Sequence, residues 1–184
     1  CRRTFLALAA AFAVTASAAL AAPAPFVLAK DGKAQIAIVP HGGLATNGVN
    51  FAAAELTNFL HRITGAEFPI SAKPVPGLKT LALGTPYKAK AVDEISVRVK
   101  DASTLDVTGD GAVGTVYAAY DLLETFGCVF VAHDFAYAPL KGELSLPGDY
   151  AKTDAPFTYE KRSTWSEIGY GGDRSKWSQI LRTR

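Results

Sequence analysis

The stretch that most constrains the fold runs from residue 104 to residue 127 and reads TLDVTGDGAVGTVYAAYDLLETFG. A β-type run leads into Gly109-Asp110-Gly111-Ala112-Val113-Gly114, which matches the G-x-G-x-x-G pattern of dinucleotide-binding folds. A helical pattern follows, and then a second apolar run, CVFVA. Asp134 stands about 20 residues after Gly114, where such folds place the acid that binds the ribose. The stretch is either a nicotinamide site or a strand-turn-helix whose glycines are structural.

The pairing predicted around these glycines favours the structural interpretation. A dinucleotide fold needs successive parallel βαβ units. The strand before Gly109 follows a short turn, Asp101-Ala102-Ser103, so it is expected to pair antiparallel with the strand before that turn. Glycine at positions 109 and 111 suits a tight turn, and Gly114 allows a helix to pack closely on the sheet. We therefore predict no cofactor, while a nicotinamide site would require parallel pairing of the strands that flank Gly109–Gly114.

Hydrophobic periodicity outlines the rest of the domain. Residues 50–64 place Ala52, Leu56, Phe59, Leu60 and Ile63 on one helical stripe that ends at Gly65. The remaining predicted elements are a β-run at 34–39, an edge strand at 68–71, a buried strand at 80–84, a half-solvated strand at 94–100, a second helix from Val116 to Gly127 and a buried strand at 128–132. These elements predict an α/β fold of the α+β type, a mixed β-sheet with two helices packed on one face.

The N-terminal residues indicate export. Arg2 and Arg3 precede a weakly apolar stretch that ends in Ala19-Leu20-Ala21, a small-x-small cleavage site. Residues 1–21 are thus predicted to be a twin-arginine-like export signal, residues 22–33 a Pro-rich linker, and the location periplasmic or extracellular, with no stable membrane anchor. Cleavage would leave 17 basic and 17 acidic residues, a near-neutral balance that argues against nucleic acid as a partner.

The chemistry-bearing side chains do not form a catalytic set. Glycoside hydrolysis needs two carboxylates facing each other across the sugar. Asp93 and Glu94 are adjacent on a predicted strand and point to opposite sides, so they cannot do this. Asp121 and Glu124 are expected on a solvated helix face, and Glu55 on the surface of the first helix. We predict no catalytic carboxylate pair in this chain.

Histidine and cysteine offer no clear site either. The three histidines, at positions 41, 61 and 133, do not have metal-ligand spacing, so we predict no metal. His133-Asp134 is read as a loop hydrogen-bond pair rather than an acid/base couple. Cys128 is the one cysteine left after cleavage, which excludes an internal disulfide, and it is expected to be a small core residue.

Two separated blocks of sequence resemble the N-terminal accessory domain of family-20 β-hexosaminidases and family-67 α-glucuronidases. The resemblance covers roughly residues 34–162. In the first helix the matching residues are Ala53, Glu55-Leu56, Phe59-Leu60 and Ile63-Thr64-Gly65. In the second block they are Gly109, Gly114, Tyr117, Tyr120, Leu123-Glu124 and Gly127-Cys128. Neither block is a catalytic motif.

The resemblance implies a division of the chain and a function. Residues 34–152 would be the accessory domain, and residues 153–184 the start of a (β/α) barrel that carries the catalytic residues and binds carbohydrate. Arg162 would then be a substrate-binding residue, and Trp165 would offer a sugar-stacking surface. The complete protein is expected to be a glycoside hydrolase acting on a polysaccharide or glycoconjugate, with this part non-catalytic.

Two alternatives remain open. A stand-alone secreted carbohydrate-binding module would be favoured by aromatic side chains exposed on a flat surface. An exported NAD-dependent oxidoreductase would use the Gly109–Gly114 turn to bind its cofactor.

Overall fold

The computed structural model describes residues 23–42, 47–132 and 135–155, which form ten strands and two helices. Before the first helix lie β1 (Phe26–Lys30), β2 (Lys33–Ala34) and β3 (Ile36–Pro40). Then come α1 (Asn47–Thr64), β4 (Lys79–Leu83), β5 (Ile95–Asp101), β6 (Thr104–Gly109) and α2 (Gly111–Thr125). The last strands are β7 (Val129–Ala132), β8 (Phe135–Tyr137), β9 (Glu143–Leu146) and β10 (Ala151–Asp154). None of these helices is both long and apolar enough to cross a membrane.

The largest sheet has five strands in the order β10-β5-β6-β4-β3 and is mixed. Strands β3, β4 and β6 run parallel, whereas β5 is antiparallel to β6 and β10 is antiparallel to β5. The turn between β5 and β6 is held by Asp101, whose Oδ1 accepts hydrogen bonds from the Ser103 backbone N–H (2.8 Å) and hydroxyl (2.7 Å). The expected antiparallel hairpin is therefore present.

Both helices lie on one face of this sheet and contact each other. The strand register puts a continuous set of buried side chains on that face: Ile36, Ile38, Leu81, Leu83, Ile95, Val97, Leu105 and Val107. From α1, the predicted stripe Ala52, Leu56, Phe59, Leu60 and Ile63 is buried. The predicted fold class, a mixed sheet with two helices packed on one face, is confirmed.

The linker expected at residues 22–33 is corrected by the structure, because most of it belongs to the domain. Strand β1 lies between β2 and β9 in a three-stranded antiparallel sheet, and Phe26 and Leu28 are buried. The two-residue turn between β1 and β2 is Asp31-Gly32, with φ angles of 52° and 69°. An Asp-Gly pair suits such a turn because both central residues need positive φ. The Pro-rich composition of APAPF concealed this local hairpin signal.

Other elements differ from expectation in smaller ways. The segment 68–71 does not form a full strand; it borders β3 through one parallel bridge between Ile70 and Ile38. The sheet also continues past the expected domain end, since β10 pairs with β5 as far as Asp154. Strand β5 is more buried than the alternating pattern predicts, because Ser96 on its polar face is buried as well.

Candidate functional site

The glycine motif forms a closed turn in which backbone packs on backbone. A Cβ built at Gly109 would lie 2.4 Å from the carbonyl carbon of Gly114 and 2.7 Å from the backbone oxygen of Glu94. A Cβ at Gly114 would in turn lie 2.9 Å from the carbonyl carbon of Gly109. These two glycines allow β6 and the first turn of α2 to meet at a distance that no side chain permits. Close packing of backbone on backbone therefore explains why positions 109 and 114 need glycine.

The side chain of Glu94 fastens a loop beside this turn. Its carboxylate accepts hydrogen bonds from the Tyr87 hydroxyl and from the backbone N–H groups of Lys90 (3.0 Å) and Ala91 (3.1 Å), and its backbone oxygen accepts from Asp110 N–H (2.8 Å). The Tyr87 hydrogen bond is the main cause that lowers the pKa of Glu94. Burial, and then the same hydrogen bond, raise the pKa of Tyr87 to about 12. This carboxylate holds the loop in place.

Strand pairing around the glycines differs from that of a nicotinamide site. Such a site would need β6 and β7 to be parallel neighbours in one sheet. Strand β6 instead pairs with β4 and β5, while β7 pairs antiparallel with β8 in a separate two-stranded sheet. The pairing that the oxidoreductase alternative requires is therefore not formed.

Two carboxylates expected on solvated surfaces have protein partners instead. Asp121 on α2 is only 6% exposed, and its Oδ1 accepts a 2.7 Å hydrogen bond from Lys152 Nζ on β10. Glu55 on α1 accepts a hydrogen bond from the Tyr120 hydroxyl on α2. The expectation for Asp121 was wrong because α2 is buried on every side from Gly114 to Leu123, whereas Glu55 is only partly buried. Asp121 joins α2 to the sheet edge, and Glu55 joins the two helices.

The other chemistry-bearing residues show no ligand geometry. In the ranges that the structure describes, no three His, Cys, Asp or Glu side chains are grouped so that they could hold a metal ion. His61 on α1 lies 3.2 Å from the Ala66 carbonyl oxygen through its Nδ1. Cys128 is buried as predicted, and this burial raises the pKa of its thiol to about 11. A thiol with that pKa is protonated at neutral pH and is a poor nucleophile.

Several predicted residues lie outside the described ranges. Among these are Arg162 and Trp165, the substrate-binding residues that the resemblance implied, and the pair His133-Asp134. Their roles stay predictions.

The ribbon formed by β7 and β8 carries an exposed apolar surface that sequence reasoning missed. We call it the ribbon face and define it by Val129, Val131, Phe135, Tyr137 and Leu140, which are 51, 62, 61, 55 and 87% exposed. Val129 and Tyr137 are direct cross-strand partners. Isolated exposed apolar residues are ordinary, but five within twelve residues, four of them on two paired strands, form a patch of the kind found at interaction sites.

The opposite side of the same ribbon belongs to the core. Phe130 is buried and makes edge-to-face ring contacts with Phe59 on α1 (5.1 Å between centroids) and Tyr120 on α2 (4.8 Å). The Arg62 guanidinium donates a 2.9 Å hydrogen bond to the Ala136 carbonyl oxygen, which fixes β8 to α1. The ribbon face is therefore displayed by a strand pair anchored from behind.

Residues 128–132 were expected to be a buried strand because both of their faces are apolar, a pattern typical of fully buried strands. Only the side of Phe130 is buried. The short length of the two strands is the signal that could have indicated a two-stranded ribbon, since two strands have no further neighbours to cover them.

The fold described above is similar to part of a solved glycoside hydrolase. A family GH115 4-O-methyl-α-glucuronidase with specificity for decorated arabinogalactans matches 71% of this chain with a TM-score of 0.55 and 16% identity. A GH138 enzyme targeting pectin rhamnogalacturonan II matches 60% (TM-score 0.41, 19% identity), and a Streptomyces plicatus β-hexosaminidase matches 55% (TM-score 0.35, 20% identity). The chain spans 18, 15 and 19% of these three proteins. No family model and no curated protein matches it in sequence.

Proposed function

We propose that this chain is a non-catalytic domain of an exported glycoside hydrolase that acts on a polysaccharide or glycoconjugate. The observation that carries this proposal is the fold shared with part of the GH115 glucuronidase, over 71% of this chain but only 18% of that enzyme. The described carboxylates support a structural role, because Glu94, Asp121 and Glu55 are each engaged by a protein partner.

The ribbon face is the surface by which this domain packs against the rest of that enzyme. Val129, Val131 and Leu140 cannot stack on a sugar ring as an aromatic side chain does, so aliphatic cover from protein suits them better. The Arg62 guanidinium lies beside the ribbon, since it donates a hydrogen bond to the Ala136 carbonyl oxygen of β8. An apolar centre with charged residues nearby is the usual composition of a protein interface.

Activity measurements test the hydrolase assignment. We expect the 184-residue chain to release no product from a panel of aryl glycosides, and the natural polypeptide that contains it to hydrolyse at least one of them. Hydrolysis by the 184-residue chain would contradict the non-catalytic role. Inactivity of the natural polypeptide on every aryl glycoside and on plant polysaccharides would contradict the hydrolase assignment.

Paired substitutions test the packing role in the same natural polypeptide. Phe135→Ser with Val131→Ser should make the junction between this domain and its neighbour more sensitive to limited proteolysis. Val92→Ser provides the control, since Val92 is 68% exposed but lies in the loop beside Glu94, away from the ribbon. Equal protease sensitivity of the two variants would show that the ribbon face is not the contact.

Phe135 and Tyr137 also support a second candidate, a carbohydrate-binding module that uses the ribbon face. Two aromatic side chains on a flat strand pair can stack on pyranose rings. Affinity electrophoresis in gels that contain soluble polysaccharide distinguishes the two. Retardation that is lost in Phe135→Ala and Tyr137→Ala, but kept in Val131→Ala, would favour sugar binding over packing against protein.

A further inference from the structure

A cleft at the β1–β2 hairpin gathers positive charge. It has a volume of about 450 Å³ and is lined by Val27, Lys30, Asp31, Lys33, Gln35 and Lys79, with Gly77 at its edge. That volume lies within the range of roughly 300–1,000 Å³ that is usual for small-molecule sites. Three lysines and one aspartate line the cleft, so its local charge is positive in a chain that is otherwise close to neutral.

The placement of two of these lysines is unfavourable for the free protein. Lys30 and Lys33 are direct cross-strand partners on either side of the Asp31-Gly32 turn. Like charges directly opposite each other on paired strands destabilise the pair. Glu143 relieves part of this repulsion through a 3.7 Å contact with Lys30, but both side chains are about half exposed, so the contact is weak. An anion bound between the lysines would remove the repulsion.

The third lysine is held in position by the core. Lys79 Nζ lies 4.5 Å from the centroid of the Phe26 ring, a cation–π contact. The backbone N–H of Lys79 donates a 2.9 Å hydrogen bond to the backbone oxygen of Gln35. The backbone N–H of Gln35 in turn donates a 2.8 Å hydrogen bond to the backbone oxygen of Leu28. The walls of the cleft are thus joined by backbone hydrogen bonds. The backbone of the cleft is therefore ordered before a ligand binds, which keeps the backbone share of the entropy cost of binding small.

We propose that this cleft binds the carboxylate of an acidic sugar residue, a uronate, in a polysaccharide. Lys33 and Lys79 supply the charge that pairs with the carboxylate, and the Gln35 side-chain amide offers a donor and an acceptor for neighbouring hydroxyl groups. Val27 gives an apolar wall for the C–H face of the ring. The choice of a glycan rests on the proposed function, whereas recognition of the carboxylate rests on the cleft itself.

Calorimetric titration of the whole chain with a galacturonic acid oligosaccharide and with a neutral galactose oligosaccharide of the same length tests this site. We expect only the acidic oligosaccharide to bind, and Lys33→Gln and Lys79→Gln each to weaken binding about fivefold. Lys88→Gln, an exposed lysine in the loop beside Glu94, is the matched control and should bind like the unmodified chain. Raising NaCl from about 0.05 to about 0.5 M should weaken binding further.

A second readout separates binding from folding. Because Lys33 opposes Lys30, Lys33→Gln should raise the unfolding temperature of the free chain slightly while it weakens binding. Equal binding of both oligosaccharides, unchanged binding in Lys33→Gln and Lys79→Gln, or full displacement by an equal concentration of inorganic phosphate would overturn the proposal. Calorimetry measures binding and does not depend on hydrolysis. Inactivity of the natural polypeptide would therefore overturn the hydrolase assignment without contradicting the binding of a uronate in this cleft.

Discussion

The two ends of helix α2 differ in how they meet the rest of the molecule. At its start, Gly109, Gly114 and Glu94 approach so closely that a Cβ at Gly109 would overlap the backbone opposite. Beyond its end, the ribbon face displays five large apolar side chains to solvent. The sequence at the start of α2 matches a cofactor-binding pattern, but the space there is filled by protein. The sequence beyond the end of α2 matches no cofactor-binding pattern, and its apolar side chains are exposed to solvent. A sequence motif therefore need not mark the place where a protein binds its partner.

The largest loss of stability is expected when a side chain is added to the tightly packed turn at the start of α2. Gly109→Ala places a methyl group 2.4 Å from one backbone carbon and 2.7 Å from the Glu94 oxygen, and neither can move without shifting β5 or α2. We expect a loss of about 3 kcal/mol or more in the free energy of unfolding, measured by urea denaturation. Gly142→Ala is the control, since nothing lies within 4 Å of a Cβ there. Equal stability of the two variants would contradict the packing explanation of the motif.

The two sides of the ribbon provide the next comparison. Phe130→Ala removes the ring contacts with Phe59 and Tyr120 and should cost about 3 kcal/mol of unfolding free energy. Phe135→Ala, on the ribbon face, should change stability by less than about 0.5 kcal/mol. Urea midpoints of the two variants measure the difference. A cost at Phe135 equal to that at Phe130 would mean that the ribbon face is covered within this chain.

The dependence of stability on acid pH tests the loop that Glu94 holds beside the start of α2. The pKa of Glu94 is lowered from 4.5, so its stabilising contribution is present above that pH and is lost as pH falls through the folded-state pKa. Tyr87→Phe removes the main cause of the lowering, so the loss of stability below about pH 4.5 should become shallower. Tyr137→Phe, on the exposed ribbon, should leave it unchanged. Thermal unfolding midpoints across this acid range would show whether the Tyr87 variant behaves differently.

The smallest effect concerns the ion pair between α2 and β10. The hydrogen bond to Asp121 raises the pKa of Lys152 above 10.5, so the stability that it contributes is present below that pH and is lost as pH rises through the folded-state pKa. Lys152→Arg keeps its charge there and should hold the unfolding midpoint about 2 °C above that of the unmodified chain near pH 11. If the unfolding midpoints of Lys152→Arg and the unmodified chain coincide throughout the alkaline range, the ion pair makes no measurable contribution to stability.

Local patterns in the sequence predicted most of the fold. The α1 stripe from Ala52 to Ile63 and the antiparallel hairpin before Gly109 are encoded by nearby residues, and both are present. The β1–β2 hairpin was missed although Asp31-Gly32 is a strong local signal, because the preceding Pro-rich segment suggested a linker. The β1–β2 hairpin could therefore have been predicted from the sequence.

The surfaces were harder to predict, since burial depends on distant parts of the chain. Asp121 has the spacing of a solvated residue, and only the packing of α2 against β10 and the sheet shows that it is buried. Val129 and Val131 belong to an apolar run that would be buried if further strands joined β7. Likewise, the cleft lysines come from β1, β2 and β4, and no spacing along the chain brings Lys33 next to Lys79.

The position of β6 in the middle of the mixed sheet has a consequence for the order of folding. Strands β5 and β6 are joined by the Asp101 turn, and such hairpins form in about 1–10 μs, whereas parallel pairing across a helix closes a longer loop and is slower. During synthesis, β3 and β4 emerge first but lack β6 on their inner edge. Helix α2 and the edge strand β10 follow β6 in the chain, so the helical face can close only after residue 125 has left the ribosome, and the five-stranded sheet is complete only after residue 154. Translation pauses before those points would prolong an open, association-prone intermediate.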